Sequence, residues 1–218
     1  MNAWLSRTAL PAILIGSLGL ALSACEQNSA SADGNDAMMV NGLKTAAAFT
    51  TITDDQARAE ALFDEMFKVI AHPRCMNCHP RSDQPTQGDM MVAHQPPVFR
   101  GPDGHGMPGM ECETCHGADN VAYLGSEGSI PGHEPWHLAP LSMGWQGMTA
   151  TEICEQLKDN SRNGGMTLNQ IHVHHAEDGL VGWGWHPGEG RTPAPGDQKT
   201  FGELTRAWID AGAHCPSA

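Results

Sequence analysis

Aromatic side chains are scarce in this chain of 218 residues and make up only 6% of it. Large apolar side chains supply most of the burial that holds a domain together, so their shortage makes a core difficult to fill. Basic residues are also few, because 12 Lys and Arg stand against 25 Asp and Glu, for a formal net charge of −13. An acidic chain without a basic run binds nucleic acid poorly, so no nucleic-acid partner is expected.

Long apolar runs are lacking except at residues 8–24, and that run is short for a membrane span. The letters LSAC (22–25) follow it, and they match the bacterial lipobox. We therefore predict a lipoprotein signal peptide at residues 1–24 and lipidation of Cys25. An ordinary secretory signal and a short membrane anchor are the alternatives. Each of the three possibilities predicts that the chain is exported. Glu follows Cys25, which favours a periplasmic lipoprotein anchored to the outer membrane.

Beyond the signal peptide, we predict a flexible tether at residues 25–50, because its residues are small, polar and low in complexity. One domain, residues 51–218, should follow. Capping residues and apolar periodicity predict four helices in it, at residues 53–70, 149–157, 167–175 and 197–211. Pro73 ends the first of these. Between residues 79 and 148, Pro and Gly recur too often for a long element, and a coil of that length needs something to wrap around.

Two short motifs carry the chemistry: CMNCH at residues 75–79 and CETCH at residues 112–116. Three kinds of site use paired cysteines. Zinc takes four ligands from two Cys-x-x-Cys pairs, but zinc does not explain the His after each pair. A redox dithiol belongs in a βαβ context, which this chain lacks. A c-type haem uses both thiols for covalent attachment and the adjacent His as an axial ligand of the iron.

Haem explains every residue of the repeated motif. With 7 Cys and 12 His, one such motif is expected about 0.01 times by accident. We therefore predict two haem c groups, tethered by Cys75 and Cys78 and by Cys112 and Cys115, with proximal ligands His79 and His116. The expected fold is mainly α, a coil-rich c-type cytochrome domain wrapped around the two haems.

The distal iron ligands have many candidates in the Pro- and Gly-rich coil. Proline-stiffened flanks favour His94, which precedes QPP, and His137, which lies in WHLAP. Met107 and Met143 are the main rivals, and Met ligation would raise the reduction potential relative to two His. The other candidates are His72, His105, Met110 and His133. The HVHH cluster at residues 172–175 is interpreted as a polar helix face, and Trp183 and Trp185 as packing residues.

Cysteine arithmetic leaves one further pair. After Cys25 and the two motifs, Cys154 and Cys215 remain, and an exported chain favours their pairing as a disulfide. Two buried free thiols are the alternative. The disulfide would attach the end of the last helix to an earlier one.

Several stretches resemble a group of exported bacterial dihaem proteins that often carry the label isoquinoline 1-oxidoreductase subunit. The resemblance covers residues 60–215 and is carried by HPRCMNCHP, QPPVFRGPDGHGMPGMECETCH, WHLAP, ICEQLKD, RNGG and LVGWGWHPGEGR. The label implies a link to molybdenum hydroxylases, which pass electrons outward. This chain has no further Cys clusters for iron–sulfur centres, so the resemblance implies the cytochrome acceptor rather than the hydroxylase. FGELTRAWIDAGAHCP also resembles the final helix of bacterial cytochrome c domains.

The sequence therefore predicts an electron carrier that transfers single electrons between redox partner proteins and reaches the membrane through its lipid. The alternative is a haem enzyme or sensor in which one iron has an open distal position, as in a peroxidase. A zinc-binding structural lipoprotein is the third possibility.

Overall fold

The computed structural model describes residues 38–217, so the predicted signal peptide and lipidated Cys25 lie outside the described residues. Helices form most of the regular structure of this part of the chain, and its strands are only two residues long. The α-helices are α1 (Asp55–Ile70), α2 (Pro73–Met76), α3 (Ala150–Lys158), α4 (Leu168–Glu177), α5 (Gly179–Gly182) and α6 (Gln198–Asp210). The mainly helical expectation holds in this coarse form.

The strands of the described residues pair two by two in chain order, and each pair is a separate antiparallel hairpin. The strands of the described residues are β1 (Met39–Val40), β2 (Leu43–Lys44), β3 (Thr86–Gln87), β4 (Val92–Ala93), β5 (Gly106–Met107), β6 (Met110–Glu111), β7 (Val121–Ala122) and β8 (Ser129–Ile130). Three of these hairpins lie within residues 79–148. The rest of that stretch is irregular apart from short 3-10 turns, as its Pro and Gly content predicts.

Helix α1 brings the chain to the first motif. Its N-cap is Asp54, whose carboxylate accepts a hydrogen bond from the backbone N–H of Ala57, so the cap lies one residue later than the sequence predicts. Leu62, Phe63 and Met66 on one face are almost completely buried. Pro73 is the first residue of α2, a position at which its missing N–H costs no helical hydrogen bond. It therefore begins α2 and does not itself end α1, which stops at Ile70.

The core lies where α1 and α4 pack on the amphipathic helix α6. Trp208 of α6 is fully buried, with its ring centre 5.3 Å from that of Phe63. Just beyond α6, Cys215 forms a disulfide with Cys154 of α3, with an S–S distance of 2.01 Å. The predicted disulfide is therefore confirmed, and it attaches the end of α6 to α3.

The predicted tether is partly wrong. Residues 38–50 are structured: strands β1 and β2 form a hairpin, and a 3-10 turn follows over Ala46–Phe49. Leu43 and Phe49 are buried against the core, which explains why the segment is held. Asn41 and Gly42 form the turn, and both have a positive φ. An Asn-Gly pair is a sequence signal for a hairpin, and the tether prediction, which rests on composition, does not take it into account.

No helix within residues 38–217 is both long and apolar enough to cross a membrane.

Candidate cofactor-binding site

The first motif follows α1 on the short helix α2. The helical turn brings the backbone N–H of His79 to the carbonyls of Cys75 and Met76. The His79 ring stacks on Trp145, with ring centres 3.5 Å apart and planes 6° apart. Its Nδ1 donates to the carbonyl oxygen of Met143 at 2.8 Å. The ring of His79 is therefore fixed by a stacking partner on one face and by a hydrogen bond at Nδ1.

The second motif repeats this arrangement on a different local structure. A 3-10 turn over Cys112–Thr114 brings the N–H of His116 to the carbonyl of Cys112. The His116 ring stacks on Trp136 at 4.7 Å and 12°, and its Nδ1 donates to the carbonyl of Pro131 at 2.7 Å. Each motif histidine thus has a tryptophan on its face and a carbonyl at Nδ1.

This bonding determines which nitrogen of each histidine can bind a metal. A carbonyl only accepts hydrogen bonds, so Nδ1 carries the proton in His79 and His116, and Nε2 keeps a free lone pair. Burial, partly offset by the bond to Met143, lowers the pKa of His79 to about 3. Burial is also the largest cause of the lowered pKa of His116. Both imidazoles are therefore neutral near pH 7, which is the form that binds iron.

The four motif cysteines are free, whereas Cys154 and Cys215 are paired. Burial raises the pKa of Cys75 to about 12 and that of Cys78 to about 11. Such thiols are not thiolates near pH 7, which disfavours the redox dithiol, since reactive pairs have lowered pKa values. Within the described residues, no three Cys, His, Asp or Glu side chains form a group that could hold a metal ion.

A cavity of about 700 Å³ connects the two motifs, because Cys78 of the first and Cys112, Cys115 and His116 of the second line it. Much of its wall is apolar. Five large apolar side chains that line it are still 40% or more exposed to solvent: Met90, Val92, Phe99, Met110 and Tyr123. Apolar side chains grouped around a hollow are typical of a binding site for a large apolar ligand.

His94 lies across this cavity from His116. The ring centres are 6.0 Å apart, and two imidazoles that bind opposite sides of one metal through bonds of about 2 Å have centres about 6 Å apart. The Nδ1 of His94 donates to the carbonyl of Pro96 at 2.9 Å. Its Nε2 is therefore also free to bind a metal, so the structure brings one of the two favoured distal histidines to the second motif.

His137, the other favoured histidine, lines the same cavity, with its ring centre 5.0 Å from that of His105. Two residues later, the N–H of Ala139 bonds to the carbonyl of Cys78, which brings this segment alongside the first motif. The rivals are less well placed. Met143 is buried in the core, and its carbonyl oxygen accepts a hydrogen bond from Nδ1 of His79. Its backbone therefore lies on the side of the imidazole away from Nε2. Met107 is 46% exposed at a hairpin.

The structure also reveals a repeat that the sequence analysis did not find. Each motif histidine is followed by a two-stranded hairpin and then by a His-x-Pro segment, His94 to Pro96 in the first copy and His133 to Pro135 in the second. In both copies the histidine Nδ1 donates to the carbonyl of that proline, at 2.9 and 3.4 Å. The hairpins differ in sequence, so only the recurrence of CxxCH and His-x-Pro could have indicated the repeat.

The structure also places three other residues that the sequence singled out. His175 of the HVHH cluster is buried and donates through Nδ1 to Thr205, so it is a core residue rather than part of a polar face. Trp183 has its indole 4.9 Å from that of Trp136 and lines the cavity. His72 accepts a hydrogen bond at Nδ1 from the N–H of Arg74, which leaves the proton on Nε2 and disfavours metal binding there.

A larger and more open cavity of about 960 Å³ lies on the other side of Trp183. His72, His133 and His186 line it, together with residues 192–198, but no motif cysteine does. It therefore belongs to the surface of the domain and not to the site between the motifs.

No protein-family model, no curated protein and no solved structure significantly resembles this chain. The site is therefore interpreted from its own geometry, and the resemblance to exported dihaem proteins stays a prediction.

Proposed function

We propose that this protein is a dihaem c-type cytochrome that carries single electrons. The observation that carries the proposal is the matched construction of the two motifs. In each, two free thiols precede a histidine that is stacked on a tryptophan and bonded at Nδ1 to a carbonyl. A metal-binding histidine needs such a partner to fix its ring and free its Nε2. The apolar cavity between the motifs supports a porphyrin as the ligand.

Cys75 and Cys78 would hold the first haem and Cys112 and Cys115 the second, with His79 and His116 as proximal ligands. When bound, each haem supplies one-electron chemistry through the Fe(III)/Fe(II) couple. The chain would hold the imidazole ligands in fixed orientations and set the polarity around each iron. Since Cys78 and Cys112 line one cavity, the residues that would hold the two groups lie close together, which suits electron transfer between them.

His94 is the proposed distal ligand of the iron held by His116, because of the 6.0 Å separation of the two rings. His137 is the proposed distal ligand of the iron held by His79, because its segment bonds to the backbone of Cys78 through Ala139. Two His ligands at each iron favour electron transfer over the enzymatic alternative, in which one position is open.

The cellular setting is part of the proposal. The signal peptide and Cys25 make the protein an exported lipoprotein, anchored in the periplasm to the outer membrane. Its partners would be a periplasmic or membrane oxidoreductase, such as a molybdenum hydroxylase, and a second electron carrier. The acidic chain, with a net charge of −13, would favour partners with basic surfaces.

The test is the haem content of protein exported from a host that attaches c-type haem. We expect two covalent haems in the wild type and one in each of two variants, Cys75→Ala/Cys78→Ala and Cys112→Ala/Cys115→Ala. The haem absorbance after denaturation and acid extraction should fall by half in each variant. Protein that is colourless, or that loses its colour on extraction, would rule out the proposal.

The distal ligand of the second haem is tested by His94→Ala in the variant that keeps only that haem. The iron should change from six-coordinate low-spin to high-spin and gain affinity for cyanide. His133→Ala is the matched control, since His133 has the same local geometry but lies in the other cavity. A low-spin spectrum that survives His94→Ala, or that is lost in His133→Ala, would contradict the assignment.

A further inference from the structure

Two arginines line the cavity between the motifs. The side chain of Arg74 is 1% exposed, and its Nε is buried without an acceptor among the described residues. Arg191, half-buried, donates to the hydroxyl and carbonyl oxygens of Ser129 and to the carbonyl of Pro187. Guanidinium groups at the wall of an apolar cavity need anions, because a buried charge without a partner is costly.

The described residues supply one carboxylate for these two cations. Asp89 forms an ion pair with Arg74 and is 42% exposed. It also accepts hydrogen bonds from the N–H and hydroxyl of Thr192. Arg191 acts on Arg74 as a second positive charge, and burial lowers the pKa of both guanidinium groups. Glu111 and Glu189 also line the cavity, but neither forms an ion pair with these arginines in the described part of the chain.

The position of Arg74 indicates which ligand it faces. It directly precedes Cys75, and its charge acts on the thiols of Cys75 and Cys78. It therefore lies beside the edge at which the first motif would attach its haem. The carboxylates of a haem lie on the edge opposite its attachment points, so Arg74 is on the wrong side for the first haem.

Arg74 is instead in the wall of the second site. Its guanidinium lies over the ring of Trp183, 6.0 Å from the ring centre. Trp183 contacts Trp136 edge to face, and Trp136 stacks on His116. Resting on the proposed function, we propose that Arg74 and Arg191 bind the propionate carboxylates of the haem attached at Cys112 and Cys115. The residue directly before the first motif thus helps to hold the second cofactor, through charge-assisted hydrogen bonds.

The experiment uses the full chain with Cys112→Ala/Cys115→Ala, in which the second haem is no longer tethered. Free haem and haem dimethyl ester, whose carboxylates are blocked, are titrated into this protein, and binding is followed by absorbance and tryptophan quenching. Haem should bind at least tenfold more tightly than the ester. Adding Arg74→Gln or Arg191→Gln should remove most of this preference and leave the affinity for the ester unchanged.

The preference for haem over its ester is a ratio of two affinities measured on the same protein. A variant that is partly unfolded would bind both ligands less well, so a general loss of folding would not by itself remove the preference. Arg162→Gln is the control, because Arg162 is an exposed arginine outside the cavity, and it should leave the preference intact. Equal affinities for haem and ester, binding of neither, or a preference that survives both cavity substitutions would overturn the proposal.

One further arm separates the source of the carboxylate. If millimolar succinate changes the spectrum of the wild-type haem protein, the guanidinium groups are free for an external carboxylate and the proposal is wrong. The proposed function fails on a different result, namely the absence of covalent haem from the wild type. The comparison of haem with its ester measures how the arginines affect binding whether or not the wild type carries tethered haem.

Discussion

Gly132→Ala should damage the proposed site of the second haem and leave that of the first intact. A Cβ added at Gly132 would lie 2.0 Å from the carbonyl oxygen of Asp119 and 2.6 Å from that of Gly117. The first distance is about 1.4 Å short of ordinary contact, so the backbone must move, at a cost of about 1–3 kcal/mol. Gly132 directly follows Pro131, whose carbonyl holds Nδ1 of His116 at 2.7 Å, so the movement reaches the axial ligand.

The assay is electron paramagnetic resonance of the oxidised protein, together with unfolding in urea. We expect the signal of the second haem to shift or broaden, that of the first to stay unchanged, and stability to fall by about 1–3 kcal/mol. Gly117→Ala is the matched control: Gly117 directly follows His116, and its added Cβ would meet nothing within 4 Å. If the two variants give the same spectra and stability, the packing argument for this site is refuted.

Three other substitutions test the scaffold by urea unfolding. Cys154→Ala/Cys215→Ala should cost about 4 kcal/mol, because the disulfide closes a loop of 61 residues that contains neither haem motif. Asp178→Asn should cost about 1 kcal/mol at pH 7, since Asp178 caps α5 and its hydrogen bond with His174 is the main cause that lowers its pKa to about 2. That difference is present above about pH 4 and should vanish as the pH falls to about 2. Arg100→Met should cost roughly 3 kcal/mol, because the buried guanidinium donates to three backbone carbonyls around the first motif.

Each of these has its own control. Chemical reduction of the wild type should reproduce the stability of the variant that lacks the disulfide. Asp210→Asn, at an exposed helix end, and Arg81→Met, at an exposed neighbour of the first motif, should each change stability by about 0.5 kcal/mol or less. A loss of stability in Asp178→Asn that does not depend on pH would contradict the explanation from its pKa. A loss in Arg100→Met no larger than that in Arg81→Met would contradict the explanation from buried hydrogen bonds.

The helices could be predicted because their signals are local. Thr149 with Glu152, and Thr167 with Gln170, form capping boxes as the sequence predicts. The third predicted box, from Thr53 to Gln56, is wrong, because Asp54 is the N-cap of α1. Apolar periodicity likewise predicts the buried face of α1 with its correct end. The hairpin at residues 38–50 was missed, because the low complexity of the whole segment outweighed one Asn-Gly pair.

The haem prediction for the two motifs also rests on the sequence alone, because two thiols and a histidine at fixed spacing come from one turn of chain. Which residues meet across the cavity was decided only by tertiary structure. The coil between residues 79 and 148 has no period from which contacts can be inferred, since each Pro and Gly turns the chain by an amount that its packing sets. His94 was one candidate among many in sequence. Folding brings its ring to within 6.0 Å of that of His116 and places Trp136 and Trp145 against the two motif histidines. It also brings Arg74 to the wall of the cavity between the motifs.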